Sequence, residues 1–296
     1  MTLIAIDPLP WYLRLDGWHP EEAPPLPEIY RQIREAGFVA VHADVPRDMS
    51  VSDYQALLDS VGLAPAPGYL ALALSDSEAV GTALDDVRRV GSEHAQLGLE
   101  HIFLADHSPA PERRSSPGVG AAFDSARLEV VIEGVARVAR ALRTEGVTAC
   151  LHQHVGTWIE TSEETVATLE QIGPEELMFG PDTGHLAWAG CDPGEIIERF
   201  ADRVRAVHLK DMRASVAADS KRLGWSYAET AAAHLWTEPG RGDIDLSRVL
   251  AALDGFSGWW VMDVDIADQP TPQDTARVCA RWAEKHLVVG RREDDR

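Results

Sequence analysis

Residues 148–157 read Thr-Ala-Cys-Leu-His-Gln-His-Val-Gly-Thr, and their pattern is the strongest indication of the fold. A short apolar, β-rich run ends there in two histidines separated by one residue. Because side chains alternate along a strand, His152 and His154 are expected to point to the same side. The pattern therefore predicts a buried strand that delivers two imidazoles at its end.

Runs of the same kind recur on both sides of this stretch, and helix signals separate them. Ile29 and Ile33 share one helical face, Thr161 and Glu164 predict a capping box, and Asp192 before a proline predicts a helix N-cap. Alternating strands and helices predict a parallel sheet with crossover helices, and eight strands close a barrel. The eight runs are residues 3–6, 38–43, 67–74, 101–105, 148–152, 177–180, 204–209 and 259–264.

The fold prediction is thus α/β, a (β/α)8 TIM barrel that forms a single domain over residues 1–296. The alternative, an open doubly wound sheet, is disfavoured because no GxGxxG or GxxxxGK[ST] phosphate loop follows an early strand. Three segments interrupt the alternation of strands and helices, namely residues 20–27, 108–120 and 213–239. They are predicted to be loops that cover a substrate at the C-terminal face. The charged tail, residues 291–296, is the one segment predicted to be disordered.

Composition limits the partners. Asp and Glu number 48 against 27 Lys and Arg, for a formal net charge of -21, which repels phosphate backbones and anionic membranes. Neither nucleic acid nor a membrane is expected as a partner. Three cysteines without CxxC spacing argue against a disulfide framework and a thiolate zinc site, and fit a cytoplasmic location. We expect a small-molecule substrate, and a homo-oligomer is left open.

Ligand-type side chains follow each of the last four predicted strands. Singly, a histidine or aspartate at a strand end is more often a cap or a hydrogen-bonded structural residue. Four in register at one end of a barrel favour a metal site. Imidazole nitrogen with carboxylate oxygen suits Mn, Fe, Co, Ni or Zn better than Ca. The predicted metal ligands are His152, Asp182, His208 and Asp263.

Five neighbouring residues are predicted to act on the substrate. His154 and Lys210 flank proposed ligands, so we predict that they transfer protons and stabilise charge, although a structural ion pair is the alternative for Lys210. His185, Arg241 and Trp188 are predicted to bind substrate. Arg241 lies in a glycine-rich turn, and Trp188 is one of several tryptophans that could pack on a sugar carbon face.

From about residue 147 to 282, the chain resembles the inosose (2-keto-myo-inositol) dehydratases of the xylose-isomerase-like TIM barrels. The resemblance rests on HQHVGT at 152–157, DTGHLAWAGCDP at 182–193, VHLKD at 207–211, PGRGDID at 239–245 and GWWVMDVD at 258–265. It implies metal-assisted loss of water from a cyclic keto-polyol, with the four predicted ligands in the metal positions and Mn or Co favoured. The chain departs from the family at Asp263 and Asp265, which replace glutamates, and at Arg241, which replaces an acidic residue.

Other activities of the wider superfamily stay open. Ketose isomerases and 3-epimerases share an enediolate-forming first step, but the paired glutamates of the epimerases correspond here to His152 and Asp263. Metal-dependent endonucleases need a basic surface, which this acidic chain lacks. A hypothesis of a different functional class is that the chain is a non-catalytic barrel that binds a sugar, or a subunit of a larger enzyme.

Overall fold

The computed structural model describes residues 2–289, so the charged tail at 291–296 lies outside the described residues. The barrel strands are β1 (Leu3–Ile6), β2 (Ala40–His42), β3 in two pieces (Ala64–Ala66 and Tyr69–Leu72), β4 (His101–Asp106), β5 (Thr148–Leu151), β6 (Leu177–Phe179), β7 (Ala206–Leu209) and β8 (Trp259–Met262).

The strands are parallel and close into a ring. β1 pairs with both β8 and β2, and β7 pairs with β8. At one seam, between the two pieces of β3, Gly68 O accepts a hydrogen bond from Phe103 N at 2.9 Å. A Cβ on Gly68 would lie 2.2 Å from Ala43 O, so only glycine fits there. At the other seam, single bridges such as Asp182 to His208 join β6 to β7. The closed ring confirms the predicted (β/α)8 barrel.

Eight crossover helices surround the strands, and the helix signals of the sequence are confirmed. Ile29 and Ile33 are buried on one helix, Thr161 and Glu164 form a capping box, and Asp192 caps its helix. The crossover helices are Leu26–Ala36, Val51–Val61, Ser77–Gln96, Ser125–Thr144, Ser162–Gln171, Pro193–Arg199, Leu246–Ala252 and Pro272–Ala283. Short 3-10 or π turns occupy Leu9–Trp11, Pro20–Glu22, Ala201–Arg203 and Glu284–Val289.

Two of the three segments predicted to be loops contain helices. The segment at 108–120 contains the helix Pro111–Ser115. The segment at 213–239 contains the helices Ala214–Leu223 and Tyr227–Ala232. A capping box between Ser226 and Glu229 starts the last of these, a signal that the loop prediction overlooked. The prediction that long excursions follow β1, β4 and β7 is confirmed.

Further short elements line the C-terminal face. The strand Asp211–Met212 pairs with Trp236–Thr237, and Leu13–Arg14 pairs with Gly17–Trp18 in a hairpin after β1. The helix Thr183–Trp188 follows β6 directly. No helix in the described part of the chain is long and apolar enough to cross a membrane.

Mostly small side chains form a separate buried cluster in which one large ring is packed. Ala5, Ala40, Ala66 and Ala206 surround the buried ring of Phe103. The Phe103 ring centroid lies 3.9 Å from that of His208. Phe103 therefore supports His208 from below, at the base of the pocket described next.

Candidate active site

A pocket of about 600 Å³ opens at the C-terminal ends of the barrel strands. This volume is within the range of small-molecule sites. The strand ends supply Asp7, His42, Tyr69, His152, His154, His208, Lys210, Asp263 and Asp265 to its lining, and the excursions supply Tyr12, Trp18, Arg114 and Tyr227.

The structure brings the four predicted metal ligands together: His152, His208 and Asp263 line the pocket, and Asp182 is buried beside them. His152, Asp182 and His208 each offer one donor atom, and these atoms lie within 4.8 Å of one another. Asp263 Oδ2 lies 3.1 Å from His208 Nδ1. All four side chains are buried. The group could hold a divalent metal ion.

Local structure orients these donor atoms. Asp182 caps the helix Thr183–Trp188, and its Oδ1 accepts a hydrogen bond from His185 N at 2.8 Å, whereas Oδ2 faces Lys210 Nζ at 3.3 Å without a hydrogen bond in the described part of the chain. Gln153 Nε2 donates to the Asp182 carbonyl at 2.8 Å, which ties the end of β5 to the end of β6.

Several donor atoms in the cluster lack a hydrogen bond among residues 2–289. They are His152 Nδ1, Asp182 Oδ2, His208 Nε2 and Asp263 Oδ1. Leaving a buried polar atom without a hydrogen bond costs about 1–3 kcal/mol, and such atoms call for an explanation such as an ion. Mixed imidazole and carboxylate donors suit a divalent transition metal, so these residues fit one.

Lys210 is held among three carboxylates beside this cluster. Its Nζ lies 2.5 Å from Asp265 Oδ1, 2.9 Å from Asp263 Oδ2 and 3.3 Å from Asp182 Oδ2. Burial opposes its charge, but these carboxylates hold the pKa of Lys210 well above its usual value. Burial raises the pKa of Asp182 to about 6 and that of Asp7, beside Asp263, to about 7. Carboxylates outnumber this one ammonium, a balance that favours a further cation.

His154 lines the pocket in a defined tautomer. Its Nδ1 lies 2.7 Å from the Val155 carbonyl oxygen, which can only accept, so Nδ1 carries the hydrogen and Nε2 is free to take a proton. Burial, together with the charge of Lys210, lowers the pKa of His154 to about 3, which keeps the ring neutral. The ring stacks near Tyr227, with centroids 5.9 Å apart.

The three residues predicted to bind substrate do not line the pocket within residues 2–289. His185 is fully buried, its Nδ1 accepts from Val155 N at 3.4 Å, and its Nε2 is 3.5 Å from Lys210 Nζ. Trp188 is buried on the same short helix. Arg241 is half exposed, with Nε 3.8 Å from Glu238 Oε2. The helix begun by Asp182 carries His185 and Trp188 behind Lys210, where they support the wall.

The sequence prediction missed Asp7 and His42. Asp7 follows β1, His42 ends β2, and Asp7 Oδ2 lies 3.4 Å from His42 Nδ1. With His208 they form a second group of donor atoms within 4.8 Å of one another. Both residues stand at the C-terminal ends of predicted strands, which is the same signal that predicted the ligands after β5 to β8.

Comparison with known proteins agrees with this architecture. The family model for the xylose isomerase-like TIM barrel matches residues 30–286. The chain belongs to this family. The family resemblance of the sequence is confirmed, and membership accounts for the position of the pocket at the C-terminal ends of the strands.

The chain also resembles individual proteins, one by sequence and two by structure. An inosose dehydratase of Geobacillus thermodenitrificans is 27% identical over 265 residues, which are 84% of this chain and 87% of that protein. The structure of an L-ribulose 3-epimerase has a TM-score of 0.71 at 18% identity, over 100% of this chain and 97% of that one. The IolI protein, solved with a zinc atom, has a TM-score of 0.69 at 14% identity, over 97% of this chain and 98% of that one. The two structures establish a shared fold.

Proposed function

We propose that the protein is a divalent-metal-dependent lyase that removes water from a cyclic keto-polyol, as an inosose dehydratase does. The observation that carries the proposal is the cluster of buried imidazole and carboxylate donor atoms without hydrogen bonds at the base of the pocket. The likeness to an inosose dehydratase over 84% of the chain supports it.

The metal would be held by His152, Asp182, His208 and Asp263. A divalent ion bound there would polarise a substrate ketone and an adjacent hydroxyl. Mn or Co is the favoured ion for this mixture of nitrogen and oxygen donors. Aspartate at position 263, in place of the family's glutamate, shortens the reach of that ligand by roughly 1 Å, a difference that geometry-sensitive chemistry registers.

His154 and Lys210 would act on the substrate from the same wall. His154 Nε2, unprotonated in the observed tautomer, accepts the proton from the carbon next to the ketone. The Lys210 ammonium, fixed by its three carboxylates, stabilises negative charge on a substrate oxygen. The hydroxyl on the next carbon leaves with the proton that His154 took, so that one water molecule departs and a conjugated ketone remains.

Epimerisation or isomerisation is the second candidate, and one observation favours it. Asp7 and His42 come from β1 and β2, whereas His154 follows β5, so groups able to carry protons stand on separate walls of the pocket. Epimerisation returns a proton to the opposite face of the same carbon, so it requires a proton-carrying group on each side of the substrate.

The test is incubation of the Mn-loaded or Co-loaded protein with a panel of inososes and ketoses in heavy water. Absorbance of a conjugated ketone, with loss of water seen by mass spectrometry, supports the lyase. Deuterium uptake at carbon without loss of water would replace the lyase with the epimerase or isomerase. If metal binds and no substrate exchanges hydrogen, the barrel is a binding protein. A His154→Ala variant of unchanged circular dichroism should lose exchange in the first two cases.

A further inference from the structure

Two basic side chains, Lys210 and Arg114, line the pocket, and they differ in whether they form ion pairs. Lys210 forms ion pairs with three aspartates at the base. Arg114, at the mouth, also lines the pocket, yet its guanidinium makes no ion pair and no hydrogen bond within residues 2–289. In a chain with 48 acidic residues against 27 basic ones, carboxylate partners are abundant. The guanidinium of Arg114 is therefore available to a ligand.

The surrounding structure holds Arg114 in place. Its neighbour Arg113 is buried and forms ion pairs with Glu160, at 3.1 Å, and Glu164, at 2.5 Å. The helix Pro111–Ser115 is thereby anchored to the loop after β5. The guanidinium of Arg114 lies 5.6 Å above the ring of Tyr227, within the range of a cation–π contact.

Arg114 and Tyr227 both lie close to Gly156. Gly156 has φ of +85°, and a Cβ there would lie 3.3 Å from the Tyr227 ring and 3.5 Å from Arg114 Cγ. Glu160 Oε2 accepts a hydrogen bond from Gly156 N at 2.7 Å, so the same glutamate fixes the loop on which both aromatic ring and arginine rest. Arg114 is exposed to solvent, and its contact with the Tyr227 ring limits the positions of the guanidinium, which reduces the entropy lost on binding an anion.

We propose that Arg114 forms a subsite for an anionic substituent, a carboxylate or a phosphate, on the substrate. The inference rests on the proposed function, since it assumes that the keto-polyol end binds at the metal cluster. Guanidinium binds carboxylate or phosphate through paired, charge-assisted hydrogen bonds, whereas a neutral polyol leaves its charge unpaired. A cavity of about 600 Å³ holds a six-membered ring with one such substituent.

The experiment compares matched cyclic keto-polyols that are neutral, carboxylated or phosphorylated. Dissociation constants are measured by calorimetry with the Mn-loaded protein, and kcat and KM wherever turnover occurs. Wild type should bind one anionic analogue at least about 10-fold more tightly than the neutral compound. Arg114→Gln should weaken the binding of that analogue, or raise its KM, by roughly 10-fold to 100-fold, and leave kcat and neutral binding within about 2-fold.

Arg127→Gln is the matched control, because the Arg127 guanidinium lies 4.0 Å over Trp158 and is outside the pocket lining of the described chain. It should change none of these constants. Equal binding of neutral and anionic analogues by wild type, or equal loss of both in Arg114→Gln, would overturn the subsite. Failure of every analogue to lose water would instead count against the lyase, while the calorimetric comparison would still test Arg114. The carboxylate and phosphate arms decide which anion is recognised.

Discussion

Arg113 and Lys210 are buried basic side chains that form ion pairs with carboxylates. Lys210 lines the pocket, and Arg113 precedes Arg114, which also lines it. The two clusters differ in whether the carboxylate oxygens have hydrogen bonds. Each oxygen of Glu160, which binds Arg113, also accepts backbone hydrogen bonds: Oε1 from Gly120 N at 2.9 Å, and Oε2 from Gly118 N at 3.1 Å and Gly156 N at 2.7 Å. Around Lys210, Asp182 Oδ2 and Asp263 Oδ1 have no hydrogen bond within residues 2–289.

The difference separates structural from functional charge. All four carboxylate oxygens of Glu160 and Glu164 are hydrogen-bonded, so this pair of carboxylates is complete without a ligand, and neither water nor a small ion could take the place of Arg113. An unsatisfied cluster that opens into a pocket has room for another cation. The account therefore predicts opposite responses to divalent metal in the two clusters.

Replacement of Lys210 should have the largest effect. Lys210→Met removes the ammonium that stabilises substrate charge, so kcat should fall about 10³-fold, or about 4 kcal/mol. Metal-free protein should also lose stability because three carboxylates remain uncompensated. Melting measured with and without Mn should show a larger stabilisation by metal in the variant than in wild type. Equal stabilisation would place the metal away from these carboxylates.

Replacement of Arg113 should destabilise the protein, and divalent metal should not restore the lost stability. Arg113→Met leaves Glu160 and Glu164 buried without their cation, which should lower the free energy of unfolding by about 3–4 kcal/mol. Urea unfolding of the metal-loaded and metal-free forms measures this loss. The two forms should lose the same amount, and recovery on addition of metal would erase the distinction between the clusters.

The two glutamates that bind Arg113 offer a sharper comparison. Glu160 also accepts from Gly156 N, in the loop that carries His154, whereas Glu164 accepts from Glu160 N and Thr161 N at the start of its helix. Glu160→Gln should lower kcat roughly 10-fold with little change in KM, because His154 is less well positioned. Glu164→Gln should lower stability by about 1–3 kcal/mol and keep kcat. If both variants changed kcat alike, Glu160 would have no positioning role.

The smallest expected effect concerns pH. Burial raises the pKa of Asp7 from 3.8 to about 7, so between these values the folded state binds a proton that the unfolded state has released. Stability from this group is present below pH 4 and is lost as pH rises toward 7. In metal-free protein, Asp7→Asn should equal wild type in stability at pH 4 and become more stable than wild type as the pH rises to 8. A constant difference across this range would contradict the assignment.

The sequence predicted the barrel because its strands and helices alternate with local signals that do not depend on distant residues. Thr161 with Glu164, and Asp192 before proline, are caps that the structure confirms. The placement of His152, Asp182, His208 and Asp263 followed from one rule, that the C-terminal ends of parallel strands meet at one face.

Side-chain placement beyond the strand ends depended on packing that no local pattern encodes. His185 and Trp188 follow Asp182 closely in sequence, yet the helix that Asp182 caps carries them behind the pocket wall. Arg114 was overlooked because a polar loop gives no sign that its neighbour Arg113 is buried. Tyr227 reaches the pocket because residues 213–239 fold into helices, which the sequence prediction treated as a loop.

The metal content of the purified protein shows whether the cluster around His152, Asp182, His208 and Asp263 holds a metal. Protein purified without added metal should be measured by plasma mass spectrometry beside an Asp182→Ala, His208→Ala double variant of matching circular dichroism. The account predicts near-stoichiometric Mn, Fe, Co, Ni or Zn in wild type and its loss in the variant. Wild type that is purified free of metal and binds none of these ions when they are added would contradict the account.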